Sequence, residues 1–178
     1  MKSSFLKYCL TAVGLLMLPL NLMAIEKEGE EYVISSPEDL IEFANIANTE
    51  EYEARCYLTA DIDMRGHEAD FPLIGTAEHP FQGWFDGRLH TITINLESTD
   101  ESCGLFAHLS GNVKNLYLDG TLKSTCPYVG SIAGTAYFPA VIEQCHSRMQ
   151  IIVNDAAQYV GGLVGHTVGP YGPPYVRV

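Results

Sequence analysis

Basic side chains are scarce in this chain. Ten Lys and Arg stand against 22 Asp and Glu among 178 residues, a formal net charge of −12. Neutralising phosphate takes Lys and Arg, so the composition argues against nucleic acid as a partner. It argues equally against an anionic membrane surface. Charged residues make up only 18% and hydrophobic ones 47%, which sets the chain apart from disordered and collagen-like sequences. Its length suits one domain or a small solenoid rather than a multidomain enzyme. The acidity is also unevenly placed. Residues 25–101 hold 19 acids and four bases, whereas residues 102–178 hold three acids and four bases. The second half therefore has little charge repulsion to keep its surfaces apart, which points to burial or partner contact there.

The apolar run at residues 8–20 spans 13 residues, fewer than the roughly 20 a membrane-spanning helix needs. Lys2 and Lys7 give it a basic start, Pro19 breaks it, and Leu22-Met23-Ala24 offers a cleavage boundary. Residues 1–24 are read as a secretory signal peptide, with the mature protein secreted or at the cell surface and not inserted in a membrane. Cys9 leaves with it. The remaining cysteines are Cys56, Cys103, Cys126 and Cys145. An even count in an oxidising compartment permits disulfides, in any of three connectivities. No CxxC spacing supports structural zinc.

Helical spacing occurs at one place. Ser36 can cap, Pro37 suits the first helical position, and Glu38 and Asp39 suit the positive end of the dipole. Leu40, Phe43, Ala44 and Ala47 then share one face, which predicts a helix over 36–48 after a linker at 25–35. From Cys56 onward, short alternating runs lie between Gly, Pro and Asn. Tyr57–Met64, His90–Leu96 and Val113–Leu118 each read as a strand. The chain also resembles itself. SCGLFA (102–107), VGSIAG (129–134) and VGGLVG (160–165) place Gly104, Ser131 and Gly162 in equivalence, at offsets of 27 and 31. VKNLYLDGTL (113–122) aligns with IEQCHSRMQI (142–151) at an offset of 29, and GWFDG (83–87) is a weaker copy. Such repeats predict an all-β parallel solenoid over 36–166, with a Gly/Pro-rich tail at 167–178. The offset of 29 stacks Cys145 on Leu116, as an inward apolar residue.

These segments carry a resemblance. YLTADIDM (57–64), FPLIGTAEHPFQGWFDGRLHTITI (71–94), CGLFAHLSGNVKNLYLDG (103–120) and YVGGLVG (159–165) resemble bacterial GLUG-motif proteins. A similar repeat occurs in the non-catalytic β-helical region of immunoglobulin A1-type metallopeptidases. The resemblance covers residues 32–166 and implies an all-β, right-handed parallel β-helix with one N-terminal capping α-helix, secreted or at the surface for binding, adhesion or display, as found among gut Bacteroidetes and Firmicutes. The repeat glycines Gly104, Gly130, Gly134, Gly161, Gly162 and Gly165 carry the motif. GLFA and SIAG are degenerate copies, and the chain reads as the N-terminal fragment of a larger adhesin.

Catalytic arrangements are thin. His67-Glu68 is followed by Phe71 where a zinc motif needs a second His. Asp61, Asp63 and Asp86 are the best carboxylate candidates for the alternative reading, a β-helix polysaccharide lyase or glycoside hydrolase. The favoured role for all three is structural, accepting loop N–H bonds. Tyr128 and Tyr159 occupy equivalent positions and are the candidate ligand-face aromatics. Against a sugar platform stands a ladder that only stabilises coil stacking. Trp84 reads as a core or corner residue. No catalysis and no cofactor are expected. The partner is a protein or glycan ligand, with self-association through the C-terminal coil.

Overall fold

The computed structural model describes residues 24–49 and 51–169. The signal-peptide reading and most of the Gly/Pro-rich tail fall outside these residues. Among the described residues two strands, β1 (Lys27–Glu28) and β2 (Glu31–Ile34), precede one α-helix, α1 (Pro37–Thr49). The chain then winds into a parallel β-solenoid of about four turns. The first turn holds β3 (Arg55–Leu58) and β4 (Ile62–Asp63). The second holds β5 (Trp84–Asp86), β6 (Thr91–Ser98), β7 (Ser102–Cys103) and β8 (Phe106–Leu109). The third repeats it with β9 (Asn112–Lys114), β10 (Tyr117–Ser124), β11 (Tyr128–Gly130) and β12 (Ala133–Tyr137). The fourth holds β13 (Val141–Glu143), β14 (His146–Ser147), β15 (Gln150–Val153), β16 (Tyr159–Gly161) and β17 (Val164–Val168).

Four sheets result: β1-β2-β3-β5-β9-β13, β4-β6-β10 with β14 and β15, β7-β11-β16, and β8-β12-β17. Every pairing is parallel except β1 with β2. The register follows the repeat seen in the sequence. Val113 pairs with Ile142 and Leu122 with Ile151, 29 positions on in each case. Like residues therefore stack in columns, and one inward column reads Cys56, Phe85, Val113, Ile142, all buried.

Helix α1 closes the N-terminal end. Its cap is reciprocal: Ser36 Oγ accepts the Asp39 N–H at 3.2 Å, and Asp39 accepts the Ser35 N–H at 2.9 Å. Leu40, Phe43, Ala44 and Ala47 face inward. Phe43 meets Tyr32, Phe81 and Phe85 edge-on, at ring-centroid distances of 5.8, 6.0 and 6.1 Å. Asn48 ties the helix end to the next loop, donating to Leu73 O and accepting from Gly75 N.

Four expectations need correction. Residues 25–35 are not a linker. Gly29, at φ 66°, turns β1 back on β2, and Tyr32 and Ile34 alternate into the core as the first rung. Tyr57–Met64 and Val113–Leu118 are not single strands. Each breaks at a coil corner, the first between β3 and β4, the second at Asn115 with φ 53°. At the first corner the buried Leu58, Ile62 and Met64 keep an even spacing that hides the bend, whereas at the second the inward step is three, from Val113 to Leu116. The solenoid runs on to Val168, past residue 166. Trp84 is outward and 44% exposed, between Arg55 and Lys114, rather than in the core.

Candidate functional site

The three carboxylates sit at coil corners, well apart in role. Asp61 accepts the Thr91 N–H of the next coil at 2.8 Å and faces His90 Nδ1 at 3.3 Å. The Thr91 bond above all holds its carboxyl below the ordinary range. Asp63 binds its own corner, through the Arg65 guanidinium and the Arg65 N–H, and is held at about 2 by them. Partial burial pushes Asp86 up. Hydrogen bonds from Asn115, the Arg88 N–H and Lys114 outweigh that and leave it lowered. Each therefore stays charged at neutral pH and is engaged as an acceptor. A general acid would need the opposite shift. His67 and Glu68 lie at a short 3-10 turn, Glu68–Asp70, where Glu68 accepts the Gly66 N–H at 2.6 Å.

The repeat glycines explain how β7 turns into β8, and its copies into theirs. The two arms approach until backbone touches backbone. A Cβ on Gly134 would lie 2.5 Å from Cys103 N, and one on Gly165 would lie 2.5 Å from Val129 N. Gly104, Gly130 and Gly161 are equally confined, whereas Gly162 faces open space. Five of the six are thus demanded by packing, and Gly162 is not.

Tyr128 and Tyr159 are direct register neighbours, with ring centroids 5.6 Å apart. His166 packs against both, stacked on Tyr128 at 4.5 Å and 17°. The faces of Tyr128 and His166 are turned to each other, and Tyr159, which meets both only at a tilt, is 51% exposed. Thr135 in the neighbouring column hydrogen-bonds Ser102 at 2.6 Å, and Tyr137 bonds His108 Nδ1 at 3.1 Å. These contacts tie successive coils together along one flank.

A second outward column has a different shape. Thr91, Tyr117 and His146 follow one another in register. The Tyr117 and His146 rings stack at 5.1 Å and 15°. On its other side the register neighbour of Tyr117 is the small Thr91, and Tyr117 is 36% exposed. Beside this notch stands Leu89, 63% exposed. The cause is local. In the third coil a single left-handed residue, Asn115, makes the corner, and in the fourth Gln144 does so; the second coil uses Arg88 and Leu89, both at positive φ. The longer corner pushes Leu89 outward. The resulting depression, about 590 Å³, is lined by Leu89, Thr91, Tyr117, Leu118, His146, Ser147 and Arg148. Arg148 is held by Asp119 at 3.0 Å. Sequence reasoning missed this site. Its signal was present: the offset of 29 aligns Tyr117 with His146, and Thr91 follows Phe85 by six positions where Tyr117 follows Val113 by four.

The architecture defines the molecule as a parallel β-solenoid with one helix, whose outward residues form columns along each sheet. No protein-family model, curated protein or solved structure matches this chain. Among the described residues no helix is long and apolar enough to cross a membrane.

Proposed function

We propose that this protein is an exported binding module of the GLUG-motif kind, displayed outside the cell, and that it grips a glycan at the Leu89–Tyr117–His146 depression. The observation that carries this reading is the part-exposed Tyr117 ring, stacked on His146 and preceded in register by the small Thr91, at the edge of a depression. Sugar rings lay their C–H faces on aromatic rings, while their hydroxyls take hydrogen bonds from side chains at the rim. Here Ser147 and Arg148 supply that rim, with Asn115 and Gln144 in the adjoining hollow beside Leu89 and Tyr117. Tyr128 and Tyr159 serve the stacking of coils. The module performs no catalysis, in keeping with carboxylates that are each committed to a corner.

Screening on a panel of host and plant glycans, followed by titration calorimetry, tests this. Tyr117→Ala should weaken the selected glycan by tenfold or more, with the circular dichroism spectrum unchanged. Tyr159→Ala should leave the affinity within about twofold. Binding that depends on Tyr159 and ignores Tyr117 would move the site. Glycan cleavage that disappears in Asp61→Asn/Asp63→Asn would replace the module with an enzyme.

A further inference from the structure

The corner between β5 and β6 is a two-residue turn, Arg88–Leu89, closed by the His90 N–H on Gly87 O at 2.8 Å. Both central residues have positive φ, 46° at Arg88 and 66° at Leu89. Turns of this hand are dominated by Gly, Asn and Asp, because a Cβ there crowds the following carbonyl oxygen. Of the four non-glycine residues at positive φ among the described residues, Leu89 alone is apolar. Its side chain does not hold the turn. The Arg88 N–H donates to Asp86 at 2.9 Å, and the Arg88 guanidinium lies over the buried Tyr57 ring, 3.4 Å from its centroid. Leu89 contributes its main-chain N–H, donated to Asn115 O at 2.8 Å, which any residue but proline would supply. The Leu89 side chain belongs neither to the apolar core nor to the residues packed against it, and it is the most exposed of the large apolar side chains described. For the fold alone, asparagine or glycine would serve better at this position.

A side chain kept against both backbone strain and exposure to water marks a place where function outweighs stability. Its surroundings define what it meets. Leu89 is shared by two adjoining hollows, together with Tyr117 and His146. A protein interface centres on a contiguous apolar patch. A single leucine beside one stacked ring pair, with Asn115, Gln144 and Ser147 around it, suits a small apolar group on an otherwise polar ligand.

We propose that Leu89 is the specificity-determining residue of the glycan site, and that it selects sugars carrying a methyl group, as an acetamido or a 6-deoxy substituent. This rests on the glycan reading given above. Leu89 lines the same depression as Tyr117, so a substituent of a sugar ring seated there meets an apolar wall. A methyl group gains by leaving water against that wall, whereas a hydroxyl placed there loses a hydrogen-bond partner. The pinned turn holds Leu89 in place before the ligand arrives, so no loop has to be ordered on binding.

The test uses two matched pairs of probes, chitotriose against cellotriose and methyl 6-deoxygalactoside against methyl galactoside, titrated with the protein by ligand-observed NMR. The first pair exchanges acetamido for hydroxyl, the second methyl for hydroxymethyl, so the two arms tell the sources of the methyl group apart. The parent should favour the methyl-bearing member of at least one pair by about fivefold or more. Leu89→Ala and Leu89→Asn should reduce that preference to within about twofold, and Leu89→Met should retain it. Leu89→Asn should also raise the melting temperature by about 2–4 °C, because asparagine accepts this backbone conformation, as Asn115 does in the next coil. Leu89→Ala, which keeps a Cβ, should not. A side chain that served only the fold would leave the sugar preference unmoved. Binding that needs Tyr117 yet treats both members of each pair alike overturns the proposal and leaves the glycan site in place. Binding of neither methyl-bearing probe overturns it too, and the wider glycan panel then decides the site. A lower melting temperature in Leu89→Asn assigns the side chain to the fold and overturns it as well. Unchanged sugar preference in Leu89→Ala, with weaker self-association by light scattering, gives the residue to a protein interface instead.

Discussion

Replacing Phe43 by Ala asks whether α1 belongs to the solenoid core or merely lies against it. Phe43 is fully buried and meets three aromatic rings, those of Tyr32, Phe81 and Phe85. These come from the first rung, the loop after the 3-10 turn and the second coil, so one side chain links the helix to three segments. Truncating a buried Phe costs about 3–5 kcal/mol when the surroundings relax only partly. Edge-to-face pairs contribute about 0.5–1.5 kcal/mol each beyond buried area, which favours the upper part of that range. With an m-value of about 2 kcal/mol/M, the urea midpoint should fall by roughly 2 M. Asn45→Ala, on the exposed side of the same helix, should stay within about 0.5 kcal/mol of the parent. Equilibrium unfolding followed by fluorescence and by circular dichroism gives both values. A loss below about 1 kcal/mol for Phe43→Ala would refute the reasoning and make the helix peripheral.

The repeat glycines offer a sharp contrast. Gly134→Ala and Gly165→Ala should each lower stability by about 1–3 kcal/mol, because backbone must move to admit the methyl group, while Gly162→Ala should be neutral in the same thermal melt. The acid limb of stability should carry the corner carboxylates. Asp61, Asp63 and Asp86 have folded pKa values below their unfolded ones, so their contribution is complete above about pH 4 and disappears as pH falls through the lowered values. A carbon-detected NMR titration should place Asp63 near 2, and a midpoint at or above 3.8 would remove the role assigned to Arg65. N-terminal sequencing of the exported protein should begin at Ile25; retention of Met1 would end the signal-peptide reading. Light scattering should show association that grows with concentration, driven by the last described coil, where Tyr159 and Val160 are about half exposed. A strict monomer at high concentration would exclude it.

The solenoid was legible because its physics is periodic. Stacked parallel coils require like side chains at like positions, so Val113 above Ile142 and Tyr128 above Tyr159 leave a trace at fixed offsets. The helix was legible to within a residue at each end, because Ser36, Pro37 and the Leu40–Ala47 face act locally. The position of Cys145 over Leu116 followed from the same offset, and the register places it there. Other features depend on what the chain meets after folding. Asn115 turns a corner in the middle of an alternating run, and only the backbone shows it. Residues 27–34 look like an acidic linker until Gly29 folds them into the first rung. Trp84 reads as a core residue from its apolar neighbours, yet its place on β5 points it outward between two cations. The depression at Tyr117 lies where Thr91 precedes it in the column and the longer corner places Leu89 at the surface. The stack of Tyr117 on His146, 29 positions apart, is a distance between residues far apart in the chain, and only the tertiary structure fixes it.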